Sequence, residues 1–407
     1  MAQKQVEIPL NVAQSGTAPV AIARAQRPHI YELDPLRICT ALGVVAVHVL
    51  FFTASLNATS LGNTIQNAVV VAFHFTREVF IFVTAFALVY VYSGKGISPL
   101  AFWKKRAVGV VLPYVIWSVV YVLVNDGFSS PGAFLSTAGL DILTGNASYQ
   151  LYYILLTVQF YLFFPLFLPF IHFCARRPWI TLGISFVLQV LFFYIDFHTI
   201  QTSSSLLWQG VAYYQDRFFL TYQFYFILGG LTALYFHQVR AFVLRHGRLI
   251  TCMFLLSLAG LWLHFALQVG IYRESVAYAS SVLQPIMVFY SLTTIFFGFW
   301  LACCWARRKD VAGLPRGYRF WQMLSDASFG VYLIHALILT FLLQRLVPQL
   351  PATWFVAVRV FLVWFLTAAG ATTISVLLIN IPFVSRLVGR SGPARQKRSK
   401  SVGQPIK

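Results

Sequence analysis

Leu36-Arg37-Ile38-Cys39-Thr40-Ala41-Leu42-Gly43-Val44-Val45-Ala46-Val47-His48 is the stretch whose reading decides the fold. Between Arg37 and His48 every side chain is apolar or small, and the apolar run continues through Phe52. It is long enough for a helix that crosses a bilayer, which takes about 20 residues. Eleven helical steps of roughly 100° return to nearly the same face, about 16 Å further along the axis. A guanidinium at one end and an imidazole at membrane depth therefore share one stripe. Ionisable groups cost free energy in lipid and mark functional positions by default.

The whole chain has this character. It has 407 residues, 59% hydrophobic and 10% charged, with a mean hydropathy of +0.74. A soluble domain carries about 25% charged residues, so this chain cannot cover a water-facing surface. Barrel strands alternate polar and apolar residues, whereas these apolar runs are continuous and helical in length. The fold class expected is an all-α polytopic membrane protein. Ten spans are placed at about 36–56, 66–92, 107–124, 151–172, 179–195, 217–236, 248–266, 276–301, 321–344 and 354–380. Three regions follow: a polar segment over 1–33 without a signal-peptide apolar core, a membrane domain over 34–385, and a basic, disordered tail over 386–407.

The charges sort with these spans. Twenty-five of the 30 Lys and Arg residues fall in the termini and alternate loops on one side, and only Arg217, Arg273 and Arg345 fall in the loops on the other. The positive-inside rule makes the basic side cytoplasmic, with both termini there. The net charge of +19 then reflects topology and attraction to anionic membrane lipids. Basic residues spread over every inner loop argue against nucleic-acid binding. The five cysteines show no metal-ligand spacing, and neither a disulfide nor a metal is expected. No Walker A or dinucleotide glycine pattern occurs, and no internal repeat of the kind that builds many transporters.

Polar residues converge on one layer. His48 on the first span meets His74, Arg77 and Glu78 on the second, Tyr152 and Gln159 on the fourth, and Ser328, Tyr332 and His335 on the ninth. His74 and Glu78, four apart, can touch on one face. A lone histidine in a span is more often a hydrogen-bonded core residue than a catalyst, and Arg77–Glu78 has a bland reading as a structural ion pair. The convergence of four helices is what favours a site. Phe102-Trp103-Lys104-Lys105-Arg106, with Pro113 following, puts three cations at the inner mouth. They suit a phosphate-rich ligand, or serve as a membrane anchor.

Several of these segments resemble the acyltransferase-3 family of integral membrane acyltransferases. The residues that carry the likeness are Asp34-x-Leu36-Arg37 with His48, Arg77-x-x-Phe80, Phe102-x-x-x-Arg106 with Pro113, Gln159-Phe160-Tyr161 with Pro165, and Ser328-Phe329-x-x-Tyr332-Leu333-Ile334-His335. The second and ninth spans are most similar to the branch that includes intercellular-adhesin polysaccharide modification proteins. Two positions depart: Gly109 stands where the family often has a second arginine, and Thr84-Ala85 where it usually has Ser-Gly.

The resemblance implies transfer of an acyl group, often acetyl, from cytoplasmic acyl-CoA to an extracytoplasmic glycan or lipid-linked sugar at the plasma membrane, with Arg37 and His48 essential. No bound cofactor is expected beyond this donor. The expected division of labour is CoA phosphates on Arg37 and Arg106, and His48 as general base or transient acyl carrier. Glu78 or another acid orients His48. Arg77 or a tyrosine hydroxyl stabilises the oxyanion, and Tyr332 and His335 are expected among the substrate-binding residues. The outer loop 125–150, with Asp126, Asp141 and Tyr149, is expected to face the glycan. The rival reading is a polysaccharide or lipid-linked-sugar exporter using the same intramembrane ionisable groups as a proton relay.

Overall fold

The computed structural model describes residues 28–390 apart from 129 and 312. Among these residues the chain forms helices and no strand. In chain order the helices are α1 (Leu33–Phe52), α2 (Ser60–Phe73), α3 (Thr76–Tyr92), α4 (Pro99–Arg106), α5 (Leu112–Asn125), α6 (Pro131–Thr144), α7 (Tyr152–Cys174) and α8 (Pro178–Ile195). They continue as α9 (Leu206–Tyr214), α10 (Gln223–Leu234), α11 (Phe236–Arg245), α12 (Gly247–Gly270), α13 (Val276–Ala279), α14 (Pro285–Arg307), α15 (Tyr318–Arg345) and α16 (Val356–Asn380). Among the described residues nine runs are long and apolar enough to cross a membrane. The number is ten when Phe219–Leu234 and Phe236–Arg245, bent by 97°, count as one. The all-α polytopic architecture read from hydropathy is therefore what the chain adopts.

Several spans differ from the simple rods expected: that placed at 276–301 is a continuous rod only from Pro285 to Arg307, after the short α13, and that placed at 217–236 reaches helix only at Gln223 and ends at the 97° bend. The second begins at Ser60 and breaks at His74 and Phe75, where ψ is near −12° and the His74 amide reaches back only three residues to Val71. The tightened turn ends one helix and starts the next, so His74 and Glu78 no longer stand in one i, i+4 register. The third span is preceded by α4 and joined to it through a π-turn over Ala107–Val111. The wider turn absorbs one residue and re-aims the basic end of α4 relative to α5.

The core is built around α1, α3 and α15. The most extensive contact is between α3 and α10, followed by α15 with α16 and α1 with α15. Gly229 permits the first of these. A Cβ there would lie 2.3 Å from the carbonyl oxygen of Phe82, a backbone atom that cannot swing aside. Helix α11, after its bend, is tied to the start of α1 by the ion pair of Arg240 with Glu32 at 2.7 Å. Large apolar side chains such as Leu166, Trp179 and Val187 are exposed around the outside, as lipid contact requires.

The expected regions 1–33 and 386–407 lie mostly outside the described residues. The described part of the basic tail is folded: Val384–Val388 makes a turn of 3₁₀ helix with Ser385 and Val388 buried. The Trp117 indole donates to the Leu387 carbonyl at 3.0 Å. Buried Val388 and the Trp117 bond hold this segment against α5 and α15, which charge composition alone does not reveal.

Candidate active site

A cavity of about 890 Å³ opens on the face that carries α4, within the roughly 300–1,000 Å³ of small-molecule sites. Its wall holds Arg37 from α1, Lys104, Lys105 and Arg106 from α4, and Arg390 from the C-terminal segment, against a single carboxylate among the described residues, Asp326. The Arg106 guanidinium lies over the rings of Phe102 and Tyr161, at 5.3 and 5.0 Å, and its buried Nε has no hydrogen-bond partner among the described residues. Stacking fixes the plane of the fork while leaving its N–H groups unspent. Arg37, half-buried one helix away, makes no hydrogen bond or ion pair among the described residues. Two arginines with free donors beside two lysines are suited to anionic phosphates.

The cavity ends at three aromatic rings. Phe80 of α3, Tyr153 of α7 and Tyr332 of α15 all line it, with centroid separations of 5.8 to 6.3 Å. The Tyr332 hydroxyl donates to the Gln150 carbonyl, which fixes its ring across the end. Tyr332 also touches His335, at 5.9 Å between centroids, and His335 stacks on His48 at 5.4 Å and 21°. The order is thus cationic mouth, apolar shaft, aromatic end, histidine pair.

His335 is wholly buried, and its Nδ1 is 2.8 Å from the Tyr332 carbonyl and 3.2 Å from that of Val331. Carbonyls only accept, so Nδ1 carries the hydrogen and Nε2, without a partner among the described residues, is the free edge of the ring. Tyr121 of α5 steadies this turn. Its hydroxyl donates to the Leu333 carbonyl at 2.7 Å and accepts from the Leu337 amide at 3.2 Å, a side chain entered into the helical ladder on either side of His335.

Tyr149 packs on His48, 4.4 Å between ring centroids, and meets His335 edge-on at 6.4 Å; its buried hydroxyl has no partner among the described residues. Burial pushes the Tyr149 phenol up, so the group stays protonated and can donate. The loop bearing it is held by Arg217, whose Nη1 donates to the Thr144 carbonyl at 2.5 Å and to Asn146 Oδ1 at 2.8 Å.

Of the residues expected from sequence, His48, His335 and Tyr332 come together, and Arg37 and Arg106 share the cavity. Glu78 does not join His48. It is fully buried, makes no hydrogen bond to the imidazole, and has Arg77 at 3.9 Å. The break at His74–Phe75 is the reason: it turns the first residues of α3 toward α7 and α10. Arg77 there donates to the Tyr152 hydroxyl at 3.4 Å and lies over the Tyr222 ring at 5.5 Å. Nearby Asp216 is lifted by burial and drawn back by Arg77 and Arg217, with the net shift upward. Arg77 and Glu78 thus belong to a buried charge network between helices. Gln159 is likewise absorbed into structure, donating to the Arg217 carbonyl at 2.6 Å. Tyr149, expected to face the glycan from its loop, instead turns inward onto His48. Tyr121 and Gln150 carry no sequence signal of their own. Among the described residues no three His, Cys, Asp or Glu side chains converge as metal ligands would.

No curated protein and no solved structure matches the chain. A family model described as an acyltransferase domain matches residues 30–380, which takes in the cationic wall through Asp326, the aromatic end and the histidine pair. The chain belongs to the acyltransferase-3 family and is a multi-pass membrane acyltransferase.

Proposed function

We propose that this enzyme moves an acyl group, acetyl in the simplest case, from cytoplasmic acyl-CoA to a hydroxyl of an extracytoplasmic glycan or lipid-linked sugar at the plasma membrane. The observation that carries this reading is the ordered path from a cation-lined cavity to the His48–His335 pair. The basic face is cytoplasmic by the positive-inside rule, which puts the cavity where CoA is found. Arg106, Arg37, Lys104 and Lys105 take the phosphates. The pantetheine arm follows the apolar shaft between α1, α3 and α15, and the thioester meets the rings of Phe80, Tyr153 and Tyr332. The acceptor hydroxyl approaches from the other face, past the loop of Tyr149.

His48 then acts as general base. Its free ring nitrogen takes the acceptor's hydroxyl proton as the oxygen attacks the thioester carbonyl. The Tyr149 hydroxyl donates to the oxyanion of the tetrahedral intermediate. Collapse breaks the carbon–sulfur bond, and the thiolate leaves with the proton that His48 had accepted. His335, stacked on His48 and anchored through Nδ1, sets the plane of the catalytic ring. Tyr332 turns aside for the thioester to reach this layer, because its ring lines the cavity and packs on His335, which does not line it.

The test uses the protein in nanodiscs with radiolabelled acetyl-CoA and envelope glycan. Label transfer and CoA release are expected in the wild type and lost in His48→Ala with an unchanged unfolding profile. Transfer that survives in His48→Ala moves the chemistry off α1. An exporter would leave acetyl-CoA intact, so wild-type protein that never releases CoA in the presence of a competent acceptor refutes the proposal.

A further inference from the structure

The cavity wall contains a cation that comes from outside the membrane helices. After α16 the chain turns back as the Val384–Val388 segment and delivers Arg390 to the mouth, beside Lys104, Lys105 and Arg106. Its backbone is pinned there: the Arg390 amide donates to the Ser385 carbonyl at 2.9 Å, and Val388 is buried. Gly389 makes the approach possible. It has a φ of +76°, and a Cβ on it would stand 2.7 Å from both the Gly109 carbonyl and the Phe329 ring. Gly109 itself, three residues past Arg106, presents no side chain to this wall. A cation at this point of the mouth is therefore supplied by the C-terminal segment.

Arg390 is paired with Asp326, the one carboxylate lining the cavity among the described residues. Both side chains remain more than a third exposed, at 37% and 40%, so the pair is one of the weak, solvent-screened kind. The charges that act on Arg37 include Asp326 and Arg390 as well as its neighbour Asp34. A lone carboxylate in a phosphate site would repel the ligand, and pairing neutralises it. A phosphate offers the same guanidinium fork two oxygens in place of a carboxylate's two, with a larger charge.

We propose that Arg390 is a donor-binding residue, held ready by Asp326 in the free enzyme and transferred to a CoA phosphate when the donor enters. The assignment rests on acyl-CoA being the donor. It makes the segment after the last span part of the binding site rather than a tail.

The experiment measures Kd for CoA and for phosphate-free pantetheine by titration, using full-length protein in nanodiscs. Arg390→Gln is expected to weaken CoA about tenfold, the scale of one charge-assisted bond, and to leave pantetheine unmoved. Restoring a cation from the facing position, in the double variant Gly109→Arg with Arg390→Gln, is expected to recover most of the CoA affinity. Asp326→Asn, which frees Arg390 and removes a repelling charge, is expected to tighten CoA. Equal weakening of CoA and pantetheine in Arg390→Gln overturns the assignment, because it shows only that the segment has come loose. Unchanged CoA binding in that variant overturns it as well. Wild-type protein that binds no CoA defeats the donor reading and this proposal together, and is distinguished from the first two by the wild-type titration alone.

Discussion

Removing one oxygen from Tyr121 tests how the histidine layer is held. In Tyr121→Phe the ring stays in its buried place, but the Leu333 carbonyl loses a 2.7 Å donor and the Leu337 amide loses a 3.2 Å acceptor. Each such bond is worth about 1 kcal/mol net, and a buried group left unsatisfied costs roughly 1–3 kcal/mol. These two groups are four residues apart in α15 and can close on one another, which recovers part of the loss. A net destabilisation of about 2 kcal/mol is therefore expected. That closure also tightens the turn that contains His335. A shift of about 1 Å in a positioned group can cost on the order of 100-fold in rate, so kcat is expected to fall by tens of fold while CoA affinity is kept. The assay pairs denaturant unfolding with CoA release in nanodiscs. Full stability loss with an unchanged kcat would show that Tyr121 braces the helix without positioning His335. No stability loss would show that the hydroxyl carries no load in the ladder, and the argument would fail at its first step.

Other outcomes follow from the same geometry. His335→Asn keeps a short donor near the Tyr332 carbonyl but removes the ring that stacks on His48; the fold should persist and kcat should fall at least tenfold, read by label transfer. Tyr332→Phe frees the ring from the Gln150 carbonyl, and acceptor-independent hydrolysis of acetyl-CoA should rise severalfold over the wild type. Arg106→Lys keeps the charge but loses the stacked fork, so KM for acetyl-CoA should rise with little change in kcat. Gly229→Ala drives a Cβ into the Phe82 carbonyl; destabilisation of about 1–3 kcal/mol or more is expected in the unfolding profile.

Hydropathy and charge made most of the architecture legible. Long apolar runs have few alternatives to membrane helices, and the stripe from Arg37 to His48 depends only on helical periodicity. The Ser328, Tyr332 and His335 stripe was readable for the same reason. What escaped depends on contacts between distant segments. His74 and Phe75 look like any other pair in an apolar run, so the tightened turn that separates His74 from Glu78 leaves no mark in composition. Tyr149 turns onto His48 because Arg217, about seventy positions away, ties down Thr144 and Asn146. Tyr121 is one aromatic residue among many, and its place in the ladder of α15 exists only once α5 has docked. The bend between α10 and α11 falls at Tyr235, where no proline or glycine announces it.

The three rings of Phe80, Tyr153 and Tyr332 carry a bioenergetic consequence. With donor and acceptor on opposite sides of an energised membrane, as proposed, the enzyme must not become a wire for protons, and a histidine layer open to water from both faces would be one. The cavity is lined by these rings and by neither imidazole, so they stand between it and His335. If the rings part only around a bound thioester, the acyl group itself is the stopper while they are open. Such an enzyme could work continuously without discharging the ion gradient of the membrane it lies in, and Tyr332 would be the residue whose loss turns a transferase into a leak.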